Sequence, residues 1–367
     1  MTERILMCGN EAMAESAIIA GCDAYFGYPI TPQNEVTAYM ARRMPQEGRV
    51  FLQCESELAA VNMVFGAAAT GKRAMTSSSS PGISLMQEGI SYLAGAELPS
   101  VIVNVMRGGP GLGNIAPSQG DYFQATRGGG HGDYRTITLG PSTVQEFADC
   151  MPLAFDLADF YRTPVMILAD GILGQMMEPL VLDNPDNAIK RITGGKKTRY
   201  KLPVKDWALT GAKGRKQNIV RSLWLGEGVL EELNYKLQRK YYQIEQDEVI
   251  CEQSDDLDSA EIIVVAYGIA ARIVRSAVDA ARQQGIKAGW IRPISLWPFP
   301  YGYISRAAQQ LRVFLVVEMS LGQMLEDVKL AVAGSCPVVF YGRAGGGVPT
   351  VEQVLEHIKQ LWTKQKK

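Results

Sequence analysis

Short runs rich in β-branched residues alternate with helix-like segments over most of this chain, and that alternation constrains the fold more than any single residue does. RILMCG (4–9) is followed by NEAMAESAIIA, AYFGY (24–28) by a helix opened at Thr31-Pro32, and VFLQC (50–54) by SELAAVNMVFGAAA. RAMTSS (73–78), the uncharged SVIVNVM (100–106) and PVMILAD (164–170) continue the series, with a helix expected from a Thr143-x-x-Glu146 capping box. Helical crossovers make successive strands parallel and cover the sheet on both faces. A second series starts at Glu261 with EIIVVAYG, KAGWIRP, RVFLVVE (312–318) and PVVFYG (337–342), separated by helical segments and closed by a helix after Pro349. The chain is therefore expected to be α/β, with two parallel-sheet domains at residues 1–189 and 259–367.

Residues 190–258 read as a charged, partly helical linker. Ten Lys/Arg lie between Lys190 and Lys216 with only Asp206 opposing them, whereas Glu245 to Glu261 carries eight acidic residues and no basic one. Such runs are expected to form solvated surface. Between them Leu230, Leu233, Leu237, Tyr241 and Ile244 recur at helical spacing, which predicts a helix of about five turns with one apolar stripe.

Several function classes fall away. A length of 367 residues suits two or three domain cores, and 37 Lys+Arg against 38 Asp+Glu leave none of the basic excess that nucleic-acid wrapping needs. Glu3, Glu11 and Glu15 interrupt what would be the apolar stretch of a signal peptide, and no run reaches the ~18 apolar residues of a membrane span, so a cytoplasmic protein with no nucleic-acid or membrane partner is expected. The six cysteines are never closer than fourteen positions, which leaves no CxxC unit for zinc or an iron–sulfur cluster. His131 and His357 are the only histidines and neither belongs to an HExxH pattern, so no metal ligands are assigned to this chain.

Four places could carry chemistry. Gly108-Gly109-Pro110-Gly111-Leu112-Gly113 follows a strand but leads into a loop rather than a helix, so it is not a dinucleotide fingerprint. Tyr28-Pro29-Ile30-Thr31-Pro32 ends the second strand; Thr31 suits an N-cap and Pro32 the first helical position, and the same geometry would present a hydroxyl and free N–H groups at the carboxyl edge of the sheet. Glu57 begins a segment with no further charge until Lys72, which turns its carboxyl toward an interior and suits proton sharing with a ligand nitrogen. Arg107 is the first charge after the uncharged run Leu98 to Met106, and reads either as a strand-end salt bridge or as a bidentate carboxylate clamp.

YPITP, CESELAA and VMRGGPG together resemble the α subunit of 2-oxoacid:ferredoxin oxidoreductases, and ALTGAKGRKQNI is most similar to the branched-chain (2-oxoisovalerate) type. The resemblance extends to the second domain, where Glu318-Met319-Ser320-Leu321-Gly322-Gln323 looks like the family's E-x-S/N-x-G-Q signature. It implies a thiamine-diphosphate pyrimidine-binding fold followed by a transketolase C-terminal-like domain. It further implies that Glu57 bonds the aminopyrimidine ring as the catalytic glutamate, that Tyr28 and Pro29 line the cofactor, and that Thr31 and Arg107 hold the substrate carboxylate. The activity implied is oxidative decarboxylation of a 2-oxoacid to acyl-CoA and CO2, with coenzyme A as co-substrate and electrons passed to ferredoxin. The diphosphate-and-magnesium signature GDG…N is missing, the nearest fragment being Ala169-Asp170-Gly171. The resemblance thus implies a β subunit holding the diphosphate and Mg2+, and a ferredoxin-like subunit or domain with the [4Fe-4S] clusters, serving soluble ferredoxin. The pyrimidine-binding half of another thiamine-diphosphate decarboxylase or transketolase-like enzyme, and a non-catalytic structural subunit, are the competing expectations.

Overall fold

The computed structural model describes residues 4–310 and 312–365, so Glu3 and the outermost positions of both expected domains lie outside the described residues. The first half runs β1 (Ile5–Cys8), α1 (Gly9–Ile19), β2 (Ala24–Gly27), α2 (Asn34–Gln46), β3 (Val50–Gln53), α3 (Glu57–Ala69), β4 (Ala74–Ser78), α4 (Ser80–Gly95) and β5 (Ser100–Met106). It continues through α5 (Tyr122–Arg127), β6 (Ile137–Leu139), α6 (Val144–Tyr161), β7 (Pro164–Asp170), α7 (Gly171–Gln175), β8 (Met177–Leu180) and α8 (Pro185–Ile192). After a long irregular stretch come α9 (Val229–Asp247), β9 (Cys251–Gln253), β10 (Ile262–Val265), α10 (Gly268–Gln283), β11 (Ala288–Pro293) and β12 (Ser295–Trp297). The last elements are α11 (Tyr301–Ala307), β13 (Val313–Glu318), α12 (Gln323–Val332), β14 (Val338–Gly342) and α13 (Val351–Gln365).

The first sheet has the order β12-β6-β7-β5-β4-β2-β3 and is parallel except for the β12–β6 pair. Its central strands β4, β5 and β7 are buried along their whole length, as strands covered on both faces must be. The second sheet runs β14-β13-β10-β11-β9, parallel except for β9. Its two faces serve different cores. Ile262, Val264, Leu315 and Val317 pack with Ala270, Val274, Val354 and Ile358 of α10 and α13, whereas Ile263, Val265, Phe314 and Val316 join the apolar cluster of the first half. The strand period of two therefore cements one half of the chain onto the other.

The structure corrects four sequence-based expectations. The opening strand stays outside the main sheet and pairs antiparallel with β8, Ile5 opposite Leu180, leaving Leu6 exposed. The helix after β2 starts at Asn34 and not at Thr31-Pro32. The Thr31–Pro32 bond is cis, Gln33 N–H closes a turn on the Ile30 carbonyl, and the Pro32 carbonyl accepts from Asn10 Nδ2 (2.8 Å) and Gln175 Nε2 (3.0 Å). Thr143 caps α6 as expected, accepting from Glu146 N–H at 3.1 Å, but the Glu146 carboxylate turns to Ser142 and to the guanidinium of Arg292 (2.7 Å).

The fourth correction concerns the basic run: among the described residues four of its ten cations, Arg191, Lys197, Arg199 and Lys205, are held in ion pairs, although Arg191 and Arg199 stay exposed. Arg191 pairs with Asp149 (2.7 Å), Arg199 with Asp156 (2.9 Å) and Lys205 with Asp159 (2.5 Å), all three acids on α6. These ion pairs dock α8 and the stretch after it onto α6. At the acidic end, Glu248 is buried among Lys197, Tyr161 and Tyr200. β9, inside the expected linker, is the edge strand of the second sheet, and β12 crosses over to edge the first. The expected helix is α9; Leu237, Tyr241 and Ile244 bury its stripe, while Leu230 stays exposed. Among the described residues no helix is long and apolar enough to cross a membrane.

Candidate functional site

β2 connects through α2 to β3 on one side of the first sheet, and β4 through α4 to β5 on the other. The connections diverge between β2 and β4, and a crevice opens at the carboxyl ends of such a pair. Tyr28–Gln33, Glu57, Ser78–Ser80 and Arg107 all leave the sheet at this edge.

Glu57 is the first residue of α3. Ser56 caps that helix by accepting from Ala59 N–H at 3.2 Å, which fixes where the turn begins and directs Glu57 inward, 5% exposed. Among the described residues its carboxylate accepts one hydrogen bond, from Ser78 Oγ at 3.4 Å, and no cation pairs with it. α4 leaves room for this carboxylate only because position 82 is glycine. A Cβ there would lie 2.0 Å from Ser78 Oγ and 2.4 Å from Glu57 Oε1. Two turns along, Gly89 admits Val61 of α3 in the same way, a Cβ falling 2.5 Å from its Cγ1.

Gln33, fully buried, donates to the Tyr28 carbonyl (3.3 Å) and accepts from Ser77 Oγ (2.7 Å). That pair holds Tyr28 and Pro29 as an exposed rim above the crevice. Thr31 Oγ1 accepts from Asn34 Nδ2 at 3.3 Å, and the Thr31 carbonyl accepts from Arg107 Nη1 at 2.9 Å. Thr31 and Arg107, 76 residues apart in sequence, are therefore brought into contact.

Arg107 is 8% exposed, and among the described residues no carboxylate pairs with it. Its Nη2 donates to the Leu112 carbonyl at 3.1 Å, and its buried Nε has no hydrogen-bond partner among the described residues. The salt-bridge expectation fails, and a desolvated guanidinium with donors to spare remains. Its backbone is held from below. Arg107 N–H donates to Ser80 Oγ (3.0 Å), which donates to Asp121 Oδ2 (2.5 Å), and Asn104 Nδ2 donates to the same oxygen (2.9 Å). Burial pushes the Asp121 carboxyl above its usual range, and it pushes Asp170, the cap of α7, up to about 6. Sequence reasoning missed Ser78, Ser80, Gly82, Asn104 and Asp121; its one available signal was the uncharged run Ser77–Ser80 at a strand end.

The signature Glu318–Gln323 sits across the crevice on the second half. Glu318, fully buried, accepts from Ser320 Oγ (2.8 Å), Met324 N–H (3.0 Å) and Leu325 N–H (2.9 Å), and so caps α12. Burial raises its carboxyl as well. Ser80, Asp121 and Gly109 on one side and Ser320, Gln323 and Gly345 on the other line a cleft of about 400 Å³.

Comparison with known proteins gives this edge of the sheet a context. Residues 15–223 match the pyruvate flavodoxin/ferredoxin oxidoreductase, thiamine-diphosphate-binding family, and residues 260–354 match core domain II of pyruvate:ferredoxin oxidoreductase. Ketoisovalerate oxidoreductase subunit VorB of Methanothermobacter thermautotrophicus is 51% identical over 353 residues, 96% of each chain. 2-Oxoglutarate synthase subunit KorA of Methanothermobacter marburgensis is 37% identical over 98% of this chain and 99% of its own. The solved 2-oxoglutarate:ferredoxin oxidoreductase from Magnetococcus marinus, with 2-oxoglutarate, coenzyme A and succinyl-CoA bound, superposes with a TM-score of 0.85 at 29% identity, covering 98% of this chain and 65% of that one. A split-gene transketolase (TM-score 0.58, 12% identity) shares the fold. On these matches the chain belongs to the pyruvate flavodoxin/ferredoxin oxidoreductase family, as a subunit of a 2-oxoacid oxidoreductase.

Proposed function

We propose that this chain holds the aminopyrimidine end of thiamine diphosphate and the carboxylate of a branched-chain 2-oxoacid within a coenzyme A-dependent 2-oxoacid:ferredoxin oxidoreductase. The observation that carries the reading is that Glu57 and Arg107, both buried at the same edge of the first sheet, present a carboxylate and a guanidinium that no opposite charge among the described residues neutralises. The residues present fit the cofactor's ring: Gly82 makes room for the Glu57 carboxylate, and among the described residues Ser78 alone donates to it, which leaves the carboxyl free to bond a ring nitrogen. When bound, thiamine diphosphate supplies a nucleophilic carbon for the 2-oxo group and a sink for the electrons released with CO2. Glu57 shares a proton with a ring nitrogen, a task that suits a carboxyl shielded from water. Arg107 receives the substrate carboxylate through its fork, Thr31 adds its hydroxyl, and Tyr28 and Pro29 wall the entrance.

In this reading residues 1–189 are the pyrimidine-binding domain and 259–367 the transketolase C-terminal-like domain. A β subunit brings the diphosphate site with its Mg2+, and a ferredoxin-like subunit brings the [4Fe-4S] clusters that serve soluble ferredoxin in the cytoplasm. The branched-chain assignment rests on 51% identity to the ketoisovalerate subunit against 37% to the 2-oxoglutarate subunit.

The test is co-expression with such partners, followed by CoA-dependent reduction of a one-electron acceptor. kcat/KM is expected to be highest with 2-oxoisovalerate. A preference for 2-oxoglutarate or pyruvate overturns the substrate assignment, and no turnover with any 2-oxoacid overturns the activity. In the same complex Gly82→Ala should displace the Glu57 carboxylate and cut turnover at least tenfold, by roughly the factor that misplacing a catalytic group costs. Its melting temperature should stay close to that of the wild type, because both groups struck are side-chain ends and alanine gains about 1 kcal/mol over glycine in a helix. Normal turnover in this variant would show that the space at position 82 is not needed.

A further inference from the structure

Between Arg107 and Tyr122 the chain closes on itself: Arg107 bridges Pro117, Gly108 N–H bonds the Ala116 carbonyl and Asn114 N–H bonds the Gly108 carbonyl. The far side of this loop is tied to the second half of the molecule. Gln119, fully buried, donates its backbone N–H to the Met319 carbonyl (2.9 Å), accepts from Met319 N–H through Oε1 (2.9 Å) and donates Nε2 to the Tyr267 carbonyl (2.9 Å). Gln323 donates to the Gly120 carbonyl (2.6 Å) and accepts from Phe123 N–H (2.7 Å). Asn114 Nδ2 donates to the Gly345 carbonyl at 3.0 Å. Glu318 and Ser320 cap α12 and thereby aim Met319 and Gln323 at the loop.

We propose that Gln119 and Gln323 are positioning residues for the substrate clamp: they fasten the 107–121 loop to the second half and so fix where the Arg107 guanidinium stands. The E-x-S-x-G-Q signature then tunes oxoacid binding from the opposite side of the cleft without touching substrate. The inference rests on Arg107 binding the oxoacid carboxylate.

The assembled complex carrying Gln323→Ala should show a roughly tenfold higher KM for the 2-oxoacid, with kcat within about twofold and thiamine diphosphate affinity unchanged. Backbone amides of Gly108 to Gly120 should exchange faster with no substrate present, a readout independent of turnover. A latch acting through Arg107 has little left to disturb once the guanidinium is gone. Gln323→Ala should therefore add almost nothing to Arg107→Lys, whereas two additive losses would overturn the proposal. An Arg107→Lys complex with normal oxoacid KM would instead sink the clamp reading itself. If Gln323→Ala does not assemble, Gln323→Glu keeps the acceptor for Phe123 N–H, removes the donor to Gly120 and reads the same cycle; unchanged KM and exchange there also count against the latch.

Discussion

Glu57→Gln is expected to leave the fold intact and to slow exchange of the bound cofactor's C2 proton by about 10²–10⁴-fold, the range that a positioned acid or base contributes. The fold should survive because nothing that shapes the site depends on the charge. The α3 cap comes from Ser56, Ser78 can donate to an amide oxygen as it does to a carboxylate, and the volume is nearly the same. The helix loses only the modest attraction between a negative charge and its amino-terminal dipole, about 0.3–1 kcal/mol. What disappears is the capacity to hold a proton between side chain and ring nitrogen, since an amide neither gives nor takes one at neutral pH. Glu55, two residues earlier and exposed, is the internal control: Glu55→Gln should exchange at the wild-type rate. Deuterium exchange followed by NMR in the assembled complex decides the matter, and wild-type exchange in Glu57→Gln would remove Glu57 from the mechanism.

The second large effect belongs to the carboxylate clamp, where Arg107→Lys should lower kcat/KM for the oxoacid far more than Thr31→Val does. Lysine keeps the charge and loses the planar fork, together with the paired bonds to the Thr31 and Leu112 carbonyls that aim it. Weakening a desolvated charged partner costs roughly 2–5 kcal/mol, and losing one neutral hydroxyl donor roughly 0.5–1.5. Thr31→Val also spares the Arg107 contact, because that contact is to the backbone carbonyl of Thr31 and survives any side chain at this position. Steady-state kinetics with the oxoacid varied, at saturating coenzyme A, measures both. Should the arginine variant lose coenzyme A saturation while oxoacid kinetics hold, Arg107 serves a phosphate and the clamp assignment fails.

Much of this site was legible because the physics behind it is local. An uncharged helix following Glu57 announces a buried carboxyl, and an uncharged strand ending at Arg107 announces a charge at a sheet edge. What stayed hidden depends on partners far away in sequence. Pro32 cannot start a helix because side-chain amides from Asn10 and Gln175 already hold its carbonyl, 22 and 143 residues distant. Glu146 leaves its capping box for Arg292, which lies 146 residues further on. Part of the basic run finds its acids well back along the chain, Arg191 pairing with Asp149 and Arg199 with Asp156, 42 and 43 residues earlier on α6. Gly82 carries no chemical signal at all; its meaning is the absence of one carbon atom opposite Glu57.

The alternation along β10 and β13, which sends Ile263, Val265, Phe314 and Val316 into the cluster of the first half, has a thermodynamic consequence. Neither matched region can open alone without exposing the apolar side of the other, so the two should denature as one cooperative body in a single transition. Ligand or partner binding energy gained at either sheet then raises the melting point of the entire chain. A subunit docking only on the Glu57 edge would thus protect the distant α13 from hydrogen exchange, whereas residues 260–354 produced in isolation would present a greasy, aggregation-prone sheet face to water.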